Sequence, residues 1–257
     1  MSGTVPQHFH HHLDFRVPVH FEATISGTMP SAEGLAEANK AYFDEKARAG
    51  DHHRGPEARK LGRRNVAALR STYPLLFDED TTEVLDYACG TGMLSQALCP
   101  DVKSIVGVDI SPASVEQYNT QAANQGLTPE EMKAICVELK GKPGELGDAK
   151  FDLVVCCASY HHFPSIEDTT RILAHFLKPG GSLLVTDIKA APDGRVLFKD
   201  SHHHIVAHTR GLTEGAMRSA FEGAGLVGFE MKDVFTAKMT ATGEDTTWFV
   251  ARGVKPE

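Results

Sequence analysis

The sequence predicts an α/β fold: a doubly wound, mostly parallel sheet of seven strands that ends in an antiparallel hairpin, with helices on both faces. Three observations carry that expectation. After Pro74, short apolar runs alternate with helical stretches, a rhythm that requires right-handed crossovers between parallel strands. The last two strand candidates lie too close together for a crossover, so they pair as a hairpin. Finally, 257 residues of 41% hydrophobic content can bury one large core.

Residues 1–30 read as an irregular tail, with Pro6, Pro18, Pro30 and the stretch His8-Phe9-His10-His11-His12. A helix over 31–49 follows, with Ser31 as N-cap and Leu35, Tyr42 and Phe43 along it. A second helix begins at Pro56, a first-turn proline, and runs to about residue 70. Strands are expected at 83–87, 104–109, 134–139, 151–157 and 182–187, with helices at 92–98, 112–124 and 166–177 between them. Ser111 before Pro112 marks a helix start, and Ser165 with Asp168 resembles a capping box. In the third of these helices Ile166, Thr169, Leu173, Phe176 and Leu177 share one face. A last helix at 214–224 carries Met217, Ala220 and Phe221 in a stripe and stops at Gly225. The hairpin strands are 227–234 and 246–251. Residues 31–257 thus form one domain, a helical segment at 31–74 followed by the α/β core at 75–257.

Composition narrows the function. With 26 Lys+Arg against 34 Asp+Glu, the formal charge of −8 argues against a nucleic-acid binder. Arg54, Arg59, Lys60, Arg63, Arg64 and Arg70 make residues 51–70 locally basic, but without interleaved aromatics this reads as a solvated face. No apolar run approaches the roughly 20 residues of a membrane span, and no secretory signal is visible. Five cysteines without a C-x-x-C pair indicate a reducing, cytoplasmic setting. Cys156 and Cys157, adjacent on a strand, should face opposite sides of the sheet.

The sharpest motif is Asp86-Tyr87-Ala88-Cys89-Gly90-Thr91-Gly92, an acid at a strand end, a tight turn and a helix start. Gly90 and Gly92 let the backbone approach a ligand, and Asp109 at the next strand end suits the hydroxyls of a ribose. A carboxylate at Asp86 would repel a pyrophosphate but suits a ligand bearing a sulfonium and an ammonium. That favours S-adenosylmethionine over NAD(P).

From Tyr42 onward the chain resembles the class I S-adenosylmethionine-dependent methyltransferases, Rossmann-like enzymes, in the small-molecule branch that includes ubiquinone and menaquinone methylation. The resemblance rests on the glycine-rich turn at 86–92, on Val106-Gly107-Val108-Asp109-Ile110-Ser111, on Phe151-Asp152-Leu153-Val154-Val155 and on Leu177-Lys178-Pro179-Gly180-Gly181-Ser182-Leu183. It implies transfer of a methyl group to oxygen, nitrogen or carbon of a small-molecule acceptor. It places Asp86 at the methionine end, Asp109 at the ribose, Ile110 at the adenine and Glu138 near the adenine edge. Tyr42 and Phe43 would close over the cofactor in a helical lid. Two positions depart from the family pattern: Ala88 stands where the first glycine is usual, and Glu138 where an Asp is common.

The loop after the fourth strand, Ala158-Ser159-Tyr160-His161-His162-Phe163-Pro164, leaves a carboxyl end and so lines the ligand crevice. His161 or His162, with Tyr160 beside them, is the candidate base for an acceptor that holds a proton at pH 7. A second cluster, His202, His203, His204 and His208, falls in a segment near 189–212 that the resemblance places over the acceptor pocket. His204 and His208 would share a face if that segment were helical, but no third metal ligand is spaced to join them, so no metal is expected. Rival readings are an NAD(P)-dependent reductase and a non-catalytic cofactor-binding protein.

Overall fold

A computed structural model describes residues 31–50, 56–238 and 243–257. The tail over 1–30, with its histidines, and Arg54 lie outside the described residues. The strands are β1 (Glu83–Tyr87), β2 (Ser104–Asp109), β3 (Met132–Cys136), β4 (Phe151–Cys157), β5 (Leu177–Ile188), β6 (Val227–Lys238) and β7 (Asp245–Val254). They form one seven-stranded sheet in the order β3-β2-β1-β4-β5-β7-β6. β1 to β5 are parallel, and β7 runs antiparallel to both β5 and β6. The helices are α1 (Ala32–Ala49), α2 (Pro56–Thr72), α3 (Met93–Leu98), α4 (Pro112–Asn124), α5 (Ile166–His175) and α6 (Glu214–Gly223).

Local chemistry explains most of these boundaries. Ser31, Ser111, Ser165 and Thr213 each accept the amide three residues on, capping α1, α4, α5 and α6. β1, β2 and β4 coincide with their sequence expectation. β3 lies two residues earlier than expected, because Leu139 is drawn into the core as part of a loop rather than as a strand. At this sheet edge Asn119 of α4 donates to the Ala134 carbonyl and accepts its amide, standing in for a missing neighbour strand. α5 stops at His175, and Leu177 instead pairs with Phe151 at a bulge.

Alternation along the strands divides the core. Leu85, Val154, Cys156, Val185 and Phe249 pack with α5 and α6 residues Leu173, Met217 and Phe221 on one face. Val84, Val155, Leu184 and Val250 pack with Leu69, Leu94 and Leu98 on the other, where Cys157 joins them. The adjacent cysteines do face opposite sides. Each fully buried Phe or Leu contributes roughly 1.5–3 kcal/mol, so this two-sided core fixes the strand register that positions the site. Among the described residues no helix is long and apolar enough to cross a membrane.

The two glycines of the turn after β1 have different reasons to be glycine. Gly92 has φ +87°, and a Cβ there would meet Tyr118 Cδ2 at 2.7 Å. Gly90 has φ +53°, and a Cβ there would meet nothing within 4 Å. Gly92 is thus required by packing, whereas Gly90 faces open space. Gly92→Ala is expected to lower stability by roughly 2–4 kcal/mol and Gly90→Ala by about 1 kcal/mol. Urea unfolding of both variants checks this, and equal losses would contradict the assignment.

Candidate active site

The carboxyl ends of β1 and β4 flank the point where strand order reverses, the place where open α/β sheets hold ligands. Both strands leave through a strained residue, Ala88 at φ +55° and Ala158 at φ +54°. A side chain in that region costs about 1–2 kcal/mol. The turn therefore keeps its left-handed backbone at Ala88 in spite of the alanine.

Asp109 ties this turn to β2. Its Oδ2 accepts the Gly90 amide at 2.8 Å and its Oδ1 the Ser111 amide at 2.9 Å. Burial pushes the carboxyl above its ordinary range, and amides from Ser111, Gly90 and Ile110 partly offset that. Each oxygen retains capacity for a further donor. Asp86 is more isolated: it is 2% exposed and accepts only Ser95 Oγ, at 2.6 Å. Burial pushes its carboxyl up to about 7, Ser95 lowers it in part, and Asp109 adds repulsion. Neither acid has a cation partner among the described residues. Thr91 Oγ1, in the same turn, is buried without a hydrogen bond.

α1 spans this crevice. Asp44 Oδ1 accepts Ser111 Oγ at 3.0 Å and the Ala113 amide at 2.8 Å, capping α4 beside Asp109. Gln117 donates to the Ala47 carbonyl. Further along α1, the buried Asn39 donates to the Ile205 carbonyl at 3.0 Å. Phe43 packs edge-on against His162 at 5.3 Å, and Tyr42 stands 6.3 Å from His202 and 6.2 Å from His204. α1 therefore joins the β2–α4 turn to the segment after β5.

That segment, residues 189–212, is a loop pinched at its base where Lys189 pairs with Leu212. It seats on the short 3-10 turn after β4, because Ala207 and His208 both donate backbone amides to the His161 carbonyl. His161 is 5% exposed; its Nδ1 lies 2.8 Å from Asp187 Oδ1, and its ring stacks on Phe198 at 4.7 Å. His162 Nδ1 bonds the same Ile205 carbonyl that Asn39 holds. Burial and the neighbouring His161 push His162 down to about 3.

Other residues singled out by sequence lie elsewhere. Tyr160 is fully buried in the core with its hydroxyl on Thr170, so it is removed from the crevice. The 200–208 stretch is a short 3-10 turn followed by irregular backbone, so His204 and His208 do not share a helix face. His203 bonds the Phe198 carbonyl and His208 the Phe163 carbonyl, both as loop fasteners, while His204 is exposed. Glu138 is exposed and paired with Lys140, and Ile110 is half-buried next to Asp109. Among the described residues no group of three metal-binding side chains converges. Arg59, Arg63 and Arg70 are exposed on α2, with Arg70 paired to Asp101. Sequence reading missed Asp187, Asp44, Asn39 and Phe198, whose partners are distant along the chain.

The Asp86 carboxyl carries a pH signature. Its folded pKa lies above the unfolded 3.8, so the folded state holds a proton that the unfolded state releases. Stability is thus expected to fall as pH rises from about 4 towards about 7. Asp86→Asn keeps an acceptor for Ser95 and removes that loss. The variant is expected to be more stable than the parent by on the order of 1–3 kcal/mol at pH 8, with the gap closing near pH 4. Urea unfolding at both pH values checks it; a less stable variant at pH 8 would refute the uncompensated-acid reading.

Comparison with known proteins gives this geometry a family. A methyltransferase domain model matches residues 51–230. An uncharacterized methyltransferase of Schizosaccharomyces pombe is 34% identical over 154 residues, covering 58% of this chain and 54% of that protein. A ubiquinone biosynthesis O-methyltransferase of Histophilus somni is 30% identical over 106 residues, 41% of this chain and 44% of that protein. The chain spans about half the length of the curated relatives it matches. Among solved structures, the [4+2]-cyclase SpnF aligns with TM-score 0.63 at 17% identity, over 88% of this chain and 97% of that one. A phosphoethanolamine N-methyltransferase of Haemonchus contortus, solved with S-adenosyl-L-methionine, aligns with TM-score 0.57 at 15% identity, over 90% of this chain and 59% of that one. These two likenesses establish a shared fold. The domain match, which spans more than half of the chain, makes it a member of the methyltransferase domain family.

Proposed function

We propose that the chain binds S-adenosylmethionine across the carboxyl ends of β1 and β2 and catalyses methyl transfer to a small molecule held under the 189–212 loop. The observation that carries the reading is Asp86, a buried carboxyl with one hydroxyl partner and no cation. A ligand bearing a sulfonium and an ammonium supplies the missing positive charge, whereas a dinucleotide pyrophosphate would add a third centre of negative charge beside Asp86 and Asp109. The residues fit such a ligand in other respects. Asp109 is pre-oriented by two amides to accept ribose hydroxyls, Gly90 leaves open space and Thr91 Oγ1 lacks a partner. Ile110, half-buried next to Asp109, would border the adenine, with the exposed Glu138 near its edge.

When bound, S-adenosylmethionine supplies an electrophilic methyl group, and its loss leaves S-adenosylhomocysteine. The protein's own contribution is alignment and exclusion of water. α1, with Tyr42 and Phe43, acts as the lid, anchored at one end by Asp44 and at the other by Asn39. His161 and His162 form the floor under the acceptor, while His203, His204 and His208 shape and fasten the loop above it. A net charge of −8 and five cysteines free of disulfides suit a cytoplasmic enzyme acting on a small molecule rather than on nucleic acid.

Calorimetry with S-adenosylmethionine and S-adenosylhomocysteine tests the reading. Both are expected to bind, and Asp109→Ala is expected to weaken each by roughly 5–100-fold, since a ribose hydroxyl loses its charged acceptor. Absence of binding by either compound to the folded protein, with protection by NADPH instead, would contradict it.

A further inference from the structure

We propose that the outer face of α2 and the turn that follows it form an interface between two copies of this chain. The copies are related by a two-fold axis, and Leu75 of each seats in a groove of the other. This face lies at the end of the sheet remote from the crevice, and its assignment is independent of the methyl-transfer reading above.

Leu75 is 97% exposed, more than any other large apolar side chain among the described residues. A single exposed leucine is ordinary on a protein surface; its surroundings here are not. On either side of it in the chain, Pro74 and Phe77 line an open groove of ≈ 710 Å3, together with Ala67, Arg70, Pro100 and Asp101. The charges in that lining are mostly matched from within. Arg70 pairs with Asp101 at 3.1 Å, and Asp78 accepts the Thr81 hydroxyl and the amides of Asp80 and Thr81. The groove therefore offers a partner the phenyl ring, the two prolines and the alanine, a seat suited to a leucine side chain.

Two observations select a second copy of this chain as the occupant. The first is charge. Arg59 and Arg63 are exposed on α2, and neither has a carboxylate partner among the described residues. Beyond Leu75, Glu79 and Asp80 are exposed, and neither has a cation partner among the described residues. Elsewhere at this end of the sheet opposite charges already meet, with Lys103 and Lys178 paired to Glu83 and Lys178 also to Asp152. The leucine is thus flanked by one unmatched basic patch and one unmatched acidic patch. A two-fold axis near Leu75 reverses that order in the second copy and lays each basic patch on the other copy's acidic patch. The spacing agrees: Arg63 stands about 14 Å along α2 from its end at Thr72, and Glu79 at most about 14 Å of chain beyond Leu75. A partner of a single sign would match only one of the two patches.

The second observation is position. The 74–80 turn precedes β1, and Pro100 and Asp101 precede β2, so the face lies at the amino ends of the parallel strands. Asp109 and the turn after β1 lie at the carboxyl ends, and two copies joined here leave both crevices open. The face is also fixed before any partner arrives. Val66 and Leu69 hold α2 from behind, and a Cβ at Gly62 would meet the Met93 carbonyl at 3.1 Å, so the helix rests close on α3. Little ordering is left to oppose association.

Sedimentation velocity of the full chain at low salt reads the association directly. The mass is expected to rise from 27.9 kDa towards twice that at concentrations on the order of 1–100 µM, as suits a small interface. It should fall back in ~1 M salt, because the flanking charge pairs are exposed. A chain that stays at 27.9 kDa throughout would overturn the proposal. A charge exchange then identifies the face. The variant carrying Arg59→Glu and Arg63→Glu should not self-associate, nor should the one carrying Glu79→Lys and Asp80→Lys, since each meets like charge in its own copy. Mixed in equal amounts, the two are expected to form a one-to-one dimer. All four positions are exposed, so the variants keep their fold. A mixture that stays monomeric, or self-association of either variant alone, would overturn the assignment. Leu75→Ser is expected to weaken the dimer of the parent chain by ~100-fold or more, because each dimer loses two buried leucines. An unchanged dimer in that variant would overturn the seating of Leu75 in the groove.

Discussion

A carboxylate withdrawn from water must be compensated by donors or by opposite charge, and three aspartates at one edge of this sheet meet that demand in different ways. Asp187 is compensated within the protein, by His161 and two backbone amides, and its carboxyl stays ionised. Asp109 is held by two amides and keeps room for further donors. Asp86 has a single hydroxyl and is pushed towards the protonated form. The same edge therefore holds a finished dyad and an unfinished one. The unfinished one lies where an incoming cation would complete it.

The rest of the fold is arranged around that edge. β1 and β4 deliver their turns on either side of the reversal in strand order, each through an alanine forced into a left-handed backbone. The strain, about 1–2 kcal/mol per residue, is tolerated because the core on both faces fixes the strands. α1 then links the two halves of the crevice, with Asp44 on the β2–α4 turn and Asn39 on the carbonyl that also holds His162. A shift of α1 would thus be felt at both the β2–α4 turn and the 189–212 loop at once.

Much of this was legible in the residues. The alternation of apolar runs with capped helices located β1, β2, β4 and α4 to the residue, because buried parallel strands and serine caps leave strong local patterns. β3 and the end of α5 were misplaced, since Leu139 and Leu177 are apolar yet belong to a loop and to a strand bulge. At the site, Asp86 and Gly90 stand in one contiguous motif and Asp109 closes the next strand, and the structure puts Asp86 near the end of β1, Gly90 in the turn and Asp109 at the end of β2. The His161–Asp187 pair left no such trace. Its members are 26 residues apart and meet only because β4 and β5 are neighbours in register. Likewise, nothing in the sequence separates His161 from His162, a distinction set by which carbonyl or carboxylate each ring meets.

If the cofactor's positive charge completes the Asp86 site as proposed, the carboxyl must ionise on binding. Proton release on binding measures this directly, by calorimetry of S-adenosylmethionine at pH 6.5 in buffers of differing ionisation enthalpy. With a carboxyl near 7 before binding, release of most of one proton per site is expected, abolished in Asp86→Asn. Binding without proton release, or release that persists in the variant, would contradict it.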